Sequence, residues 1–131
     1  MDRINECLGK GNSIYQQQPV NEKDWKLFRK RLPNWQEAYM AKLIKEYIDM
    51  LSDDKENPSE RFWALEKRIK SDKRDVGVCA EMSRSKMRGN LIALIEEGAV
   101  TFDDLEGFSE DLVEGLKFLF RDRMEEKDNN E

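Results

Sequence analysis

Trp35-Gln36-Glu37-Ala38-Tyr39-Met40-Ala41-Lys42-Leu43-Ile44-Lys45-Glu46-Tyr47-Ile48-Asp49-Met50-Leu51 is the stretch that decides the fold class. Trp35, Tyr39, Met40, Leu43, Ile44, Tyr47, Ile48 and Leu51 recur at steps of three and four, the spacing that gathers side chains on one side of an α-helix. Asn34 stands just before it and Glu37 three residues on, the arrangement of a capping box, in which each side chain satisfies a free backbone N–H. The charged run Ser52–Glu56 closes the segment.

Upstream, Asn21 is the expected cap of another helix. Asp24 occupies the reciprocal position, and Val20 and Trp25 are placed as a hydrophobic staple. Trp25, Phe28 and Leu32 form the inner side, and Pro33 is expected to end the helix, because the residue before a proline is pushed out of the helical region. Downstream, Asn57-Pro58-Ser59-Glu60 reads as cap, first helical residue and capping-box partner of a helix reaching about Lys73, with Phe62, Leu65 and Ile69 inward. A fourth helical region is expected over about 78–97, with Met87, Leu91, Leu94 and Ile95 inward and Gly89 as a candidate kink. Gly98 is its left-handed stop. Thr101 with Asp104 caps a short helix that Gly107 ends, and Ser109 caps the last one, with Leu112, Val113, Leu116, Leu119 and Phe120 as its stripe.

No alternating pattern argues for a strand. The fold class is therefore all-α: a compact antiparallel bundle of about five or six short helices. Residues 1–20 read as a mobile arm that could include a short helix over Met1–Leu8, residues 21–124 as a single helical domain, and residues 125–131 as a frayed acidic tail. At 131 residues the chain is long enough to bury a core without metal or disulfide support. Charged residues make up 39% against 38% hydrophobic, which suits narrow apolar stripes and densely charged outer faces.

No apolar run approaches the length of a membrane span, and the first residues lack a secretory pattern, so a cytoplasmic protein with no membrane partner is expected. Cys7 and Cys79 have no metal-site spacing and read as free thiols. There is no histidine. That removes the usual general base at neutral pH and every His-dependent nucleophile pair or zinc site. Phosphate-binding glycine motifs are absent too. No catalytic residue, metal or cofactor is expected, and the chain reads as a non-enzyme. Asp53-Asp54-Lys55-Glu56 lacks the spacing and glycine of a calcium loop and reads as a solvated connector.

Charge divides along the chain. The net charge is −5, of which residues 1–95 contribute +4 and residues 96–131 contribute −9. Two interaction surfaces follow as candidates. Lys67, Lys70 and Arg74, with Arg84, Lys86 and Arg88, could bind phosphates of a nucleic acid; the plain alternative is a solvated face neutralised by the acidic third. Asp103, Asp104, Glu106 and Glu110 could dock a basic partner, or mimic nucleic-acid phosphates as an inhibitor encoded by a mobile element would. The plain alternative is that acids in a first turn complement the helix dipole. Trp25, Trp35 and Trp63 read as core residues. Trp63 lies beside Phe62 rather than in line with it, and exposed it would be an anchor for a partner. The leading functional expectation is an adaptor or regulator that binds a protein.

Three segments, Asn21-Glu22-Lys23-Asp24-Trp25-Lys26, Pro58-Ser59-Glu60-Arg61-Phe62-Trp63-Ala64-Leu65-Glu66-Lys67-Arg68-Ile69 and Asp104-Leu105-Glu106-Gly107-Phe108-Ser109-Glu110-Asp111-Leu112, resemble an uncharacterised family of small helical proteins from clostridia and other Firmicutes. The resemblance covers roughly residues 21–120. It implies a bacterial cytosolic protein and no particular activity. Some relatives carry transporter-like names, which a mean hydropathy of −0.87 does not fit.

Overall fold

The computed structural model describes residues 20–129. Among them are five α-helices and no strand: α1 (Glu22–Leu51), α2 (Pro58–Asp72), α3 (Val76–Cys79), α4 (Met87–Glu96) and α5 (Glu110–Asn129), with 3-10 turns at Arg84–Lys86 and Phe102–Leu105. The expected arm and the short Met1–Leu8 helix lie outside the described residues. Helix α5 is helical through Asn129, into the stretch expected as a tail.

The largest departure from expectation is α1. Two short helices divided at Pro33 were expected; one helix of 30 residues passes through Pro33. The physical reason is the phase of its apolar side. Trp25, Phe28, Leu32, Trp35, Tyr39 and Leu43 follow one another by three or four residues, without a slip across the proline. Trp25, Phe28, Leu32, Tyr39 and Leu43 are buried. An unbroken stripe holds both halves against neighbours, and Pro33 is exposed, so the Arg29 carbonyl it leaves without a helical partner can face water. Asn34 and Glu37 are accordingly helix-interior residues, not a cap.

Helix α1 starts where expected. The Asn21 side chain accepts from the backbone N–H groups of Lys23 and Asp24, at 2.9 and 3.1 Å. Asp24 does not complete the box. Its buried carboxylate instead accepts from the Ser109 backbone N–H (2.7 Å) and the Ser109 hydroxyl (2.6 Å), tying the start of α1 to the start of α5. Ser109 also caps α5 by accepting from the Leu112 N–H at 3.3 Å.

The core lies between α1, α4, α5 and the segment joining the last two. Phe28, Leu32, Leu91, Leu94, Val100, Leu105 and Leu116 are its fully buried members, completed by Trp25, Met87, Phe108 and Leu112. Gly98 and Gly107 hold the connection together by taking φ values of +81° and +98°. After Gly98, the Ala99 N–H returns to the Leu94 carbonyl and the Gly98 N–H to that of Ile95, the paired bonds of a Schellman stop. Thr101 and Asp104 form the expected capping box.

The expected fourth helix is divided. Only Val76–Cys79 and Met87–Glu96 are α-helical; residues 80–83 between them are not. Ser83, Ser85 and Asn90 are poor helix-fillers, and Asn90 bonds the Glu81 carbonyl through its side chain at 2.9 Å. Gly89 does not break α4, which runs through it, and a Cβ there would meet nothing within 4 Å. Short α3 is capped from a distance. The Glu97 carboxylate accepts from the N–H groups of Val76 (2.8 Å) and Gly77 (2.9 Å). Gly77 lies against the Tyr39 ring, where a Cβ would come within 2.4 Å of Cδ2.

Candidate functional site

Helix α2 is tied to α1 by a series of polar bonds. The Arg61 guanidinium donates to the Leu51 carbonyl at 2.6 Å, Arg68 pairs with Glu46, and the Tyr47 hydroxyl donates to Asp72 at 2.6 Å. Numbers fall along α2 as they rise along α1, so α2 doubles back along the second half of α1. Arg68 also pairs with Asp72 at 2.8 Å and lies 5.6 Å from the Tyr47 ring centre. No residue of α2 belongs to the buried core cluster.

The consequence is an uncovered apolar face. Among the described residues, Ile44 (53% exposed), Ile48 (56%), Leu51 (41%), Phe62 (61%), Trp63 (62%) and Ile69 (42%) are large apolar side chains left open on this hairpin. Successive residues turn by about 100° round a helix. On α1, Ile44, Ile48 and Leu51 lie roughly a third of a turn from the Glu46–Tyr47–Met50 side that meets α2. On α2, Phe62 and Ile69 lie about a quarter of a turn from the Arg61–Arg68–Asp72 side that meets α1. With the two helices running in opposite directions, both rotations lead to the same side of the hairpin. Trp63 stands a further step round α2, its ring edge-on to Phe62 at 4.9 Å between centroids.

Trp63 is thus not a core residue. Taking about 200 Å² for each fully exposed side chain, the six present about 600 Å² of mostly apolar surface, at the upper end of patches on monomeric proteins. Covering it is worth about 15 kcal/mol before the costs of association, which run to about 4–15 kcal/mol.

The residues singled out from the sequence fare differently. Lys67 and Lys70 are exposed on α2, where Lys70 pairs with Glu66 at 3.2 Å, and Arg74 is exposed just beyond the end of that helix. Arg84 is elsewhere, paired with Glu22 at 3.1 Å and 5.5 Å from the Trp25 ring centre; Lys86 pairs with Glu81 at 2.6 Å. Arg88 lies beside Gly115 of α5. The six cations do not gather on one face. Asp103, Glu106 and Glu110 do converge: with Glu114 they line an open cleft of about 540 Å³ floored by Phe102, Leu105, Phe108 and Val113, with Lys117 on its wall. Asp104 is exposed and engaged in its capping box with Thr101, while its carbonyl accepts from Arg31 at 2.9 Å.

Ile44, Ile48, Leu51, Phe62 and Ile69 were expected as core. A signal for their exposure existed. The apolar residues of α1 between Trp35 and Leu51 spread over well more than half of the helix circumference, whereas one packed side needs a stripe of about 100°.

Burial and the hydrogen bond to Asp72 push the Tyr47 phenol up to about 12. Burial likewise raises Tyr39, whose hydroxyl donates to Asp75 at 2.6 Å. Both phenols stay protonated and remain donors. Among the described residues, no group of three or more His, Cys, Asp or Glu side chains is arranged to hold a metal ion, and no helix is long and apolar enough to cross a membrane. No protein-family model, curated protein or solved structure matches this chain.

Proposed function

We propose that this chain is a non-enzymatic interaction module of the bacterial cytoplasm, an adaptor or regulator that docks a protein through the apolar face of the α1–α2 hairpin. The carrying observation is that large apolar side chains, 41–62% exposed, collect on the one helix pair that gives α2 no place in the core. Interfaces take their energy from such aromatic and aliphatic anchors, with Trp prominent among them. We read the architecture as a compact antiparallel bundle forming one domain over residues 21–124.

The test is affinity capture from native lysate at low salt, with Ile48→Glu/Phe62→Glu as the matched control. A protein retained by the wild-type chain and lost by the double variant is the expected result. Identical capture by both, with the variant's circular dichroism unchanged, would refute the role of this face.

A second reading is favoured by the acidic cleft, whose apolar floor and Asp103, Glu106 and Glu110 suit a basic amphipathic segment or an enzyme inhibited by an acidic surface. Asp103→Asn, Glu106→Gln and Glu110→Gln together would then abolish binding or inhibition while leaving the hairpin-dependent capture intact. No observation favours nucleic-acid binding over these, since Arg84, Lys86 and Lys70 are each paired with a carboxylate.

A further inference from the structure

We infer that the occupant of the α1–α2 face is a second copy of this chain, an inference that rests on reading that face as a docking surface. Two observations point there.

The first is area. A stable interface buries about 800 Å² per partner, of which about two-thirds is apolar between like subunits. The exposed apolar side chains of the hairpin supply about 600 Å², so no other part of the molecule is needed to complete it.

The second is the rim. By helical position, exposed Glu37 and Lys45 on α1, Glu66 and Lys70 on α2 and Lys73 at its end flank the apolar side chains with both signs of charge. A two-fold axis presents one patch to itself, so each rim must offer partners of both signs. This one does, and it offers no single-sign field to a nucleic acid or a strongly charged protein.

Sedimentation equilibrium of the full chain from about 1 to 100 μM tests the inference, a range that spans ordinary dimer affinities. The expected result is a mass rising from 15.5 kDa to twice that value. Ile48→Glu and Phe62→Glu should each raise the dissociation constant by about 30-fold or more, as loss of an interface anchor does. Both side chains are more than half exposed, so the thermal melt of the dilute monomer should not move. As a measurement free of substitutions, a mixture of isotope-labelled and unlabelled wild-type chains should give intermolecular contacts from the Ile44 and Ile48 methyls to the Phe62 and Trp63 rings.

A chain that stays monomeric at about 100 μM overturns the inference, whether the face is then covered by residues 1–19 or by another protein. Dimerisation indifferent to both substitutions overturns it too. Monomeric behaviour together with hairpin-dependent capture removes only the second copy. Loss of neither dimer nor capture in the double variant removes the docking role of the face as well.

Discussion

Replacing Pro33 by Ala separates a continuous α1 from a pair of helices meeting at the proline. Inside a helix, proline costs about 3 kcal/mol relative to alanine, because it lacks the N–H that would reach the carbonyl four residues back and its ring crowds that carbonyl. Here the affected acceptor is Arg29, about two turns from the helix start. Pro33 is exposed, so its removal leaves no cavity. Against the gain stands the unfolded chain, which becomes more flexible without proline at a cost of about 0.4–1 kcal/mol. Part of the remainder is unrecoverable where neighbouring residues stay adjusted to the ring. The expected net effect is a stabilisation of about 1–2 kcal/mol, or a rise in Tm of about 4–8 °C for a chain of this size. Urea unfolding followed by circular dichroism measures it as a higher midpoint at unchanged slope. If Pro33 opened a second helix at its first position, where the fixed φ helps and the missing N–H costs nothing, alanine would destabilise instead. A lower midpoint for Pro33→Ala would refute the continuous helix.

Asp24→Ala should lower stability by about 2–3 kcal/mol, since it removes two hydrogen bonds to a buried carboxylate and leaves Ser109 donors without an acceptor; a double-mutant cycle with Ser109→Ala should show coupling of about 1 kcal/mol or more, and additive effects would break the proposed tie between α1 and α5. Gly77→Ala should cost about 1–3 kcal/mol in chemical unfolding, because the new Cβ lies 2.4 Å from a Tyr39 ring held by its bond to Asp75; a neutral result would show that the ring gives way freely. Tyr47 stabilises the fold as the neutral phenol, so its contribution is complete below pH 10 and lost as pH rises through about 12. Tyrosinate absorbance should place the upper titration there, Tyr47→Phe should remove that step, and ionisation near pH 10 would contradict the Asp72 bond.

Much of the fold is legible in the sequence where one residue dictates one local geometry. Asn21, Thr101 and Ser109 cap as their positions require, and Gly98 and Gly107 adopt the left-handed conformations that end their segments. The errors arise where two local rules compete with a longer one. Pro33 and Asn34 together spell a stop and a start, yet the phase Trp25–Phe28–Leu32–Trp35–Tyr39–Leu43 passes through them, and burial along that whole stripe outweighs one missing bond. Asp24 is a capping residue by spacing; only the folded chain brings Ser109 to it across 85 residues of sequence. The acidic residues of 103–110 are legible as a cluster, but their apolar floor is not, because Phe102, Leu105 and Phe108 meet only through the turns at Gly107 and Thr101.

The hairpin face shows the same limit from the other side. Spacing says which residues share a side of a helix, and it cannot say how many sides have a neighbour. On α1 one side is filled twice over, by the core in its first half and by α2 in its second. The neighbouring side of Ile44, Ile48 and Leu51 is left exposed by the described residues. Polar bonds from Arg61, Arg68 and Tyr47 hold α2 in place, so the fold does not require Phe62, Trp63 or Ile69 to be apolar. Lys, Glu or Gln at those positions would form the same helix with equal or better propensity. Their apolar character is therefore explained by something that covers the hairpin, and the two-fold contact of a second copy accounts at once for its area and its mixed rim.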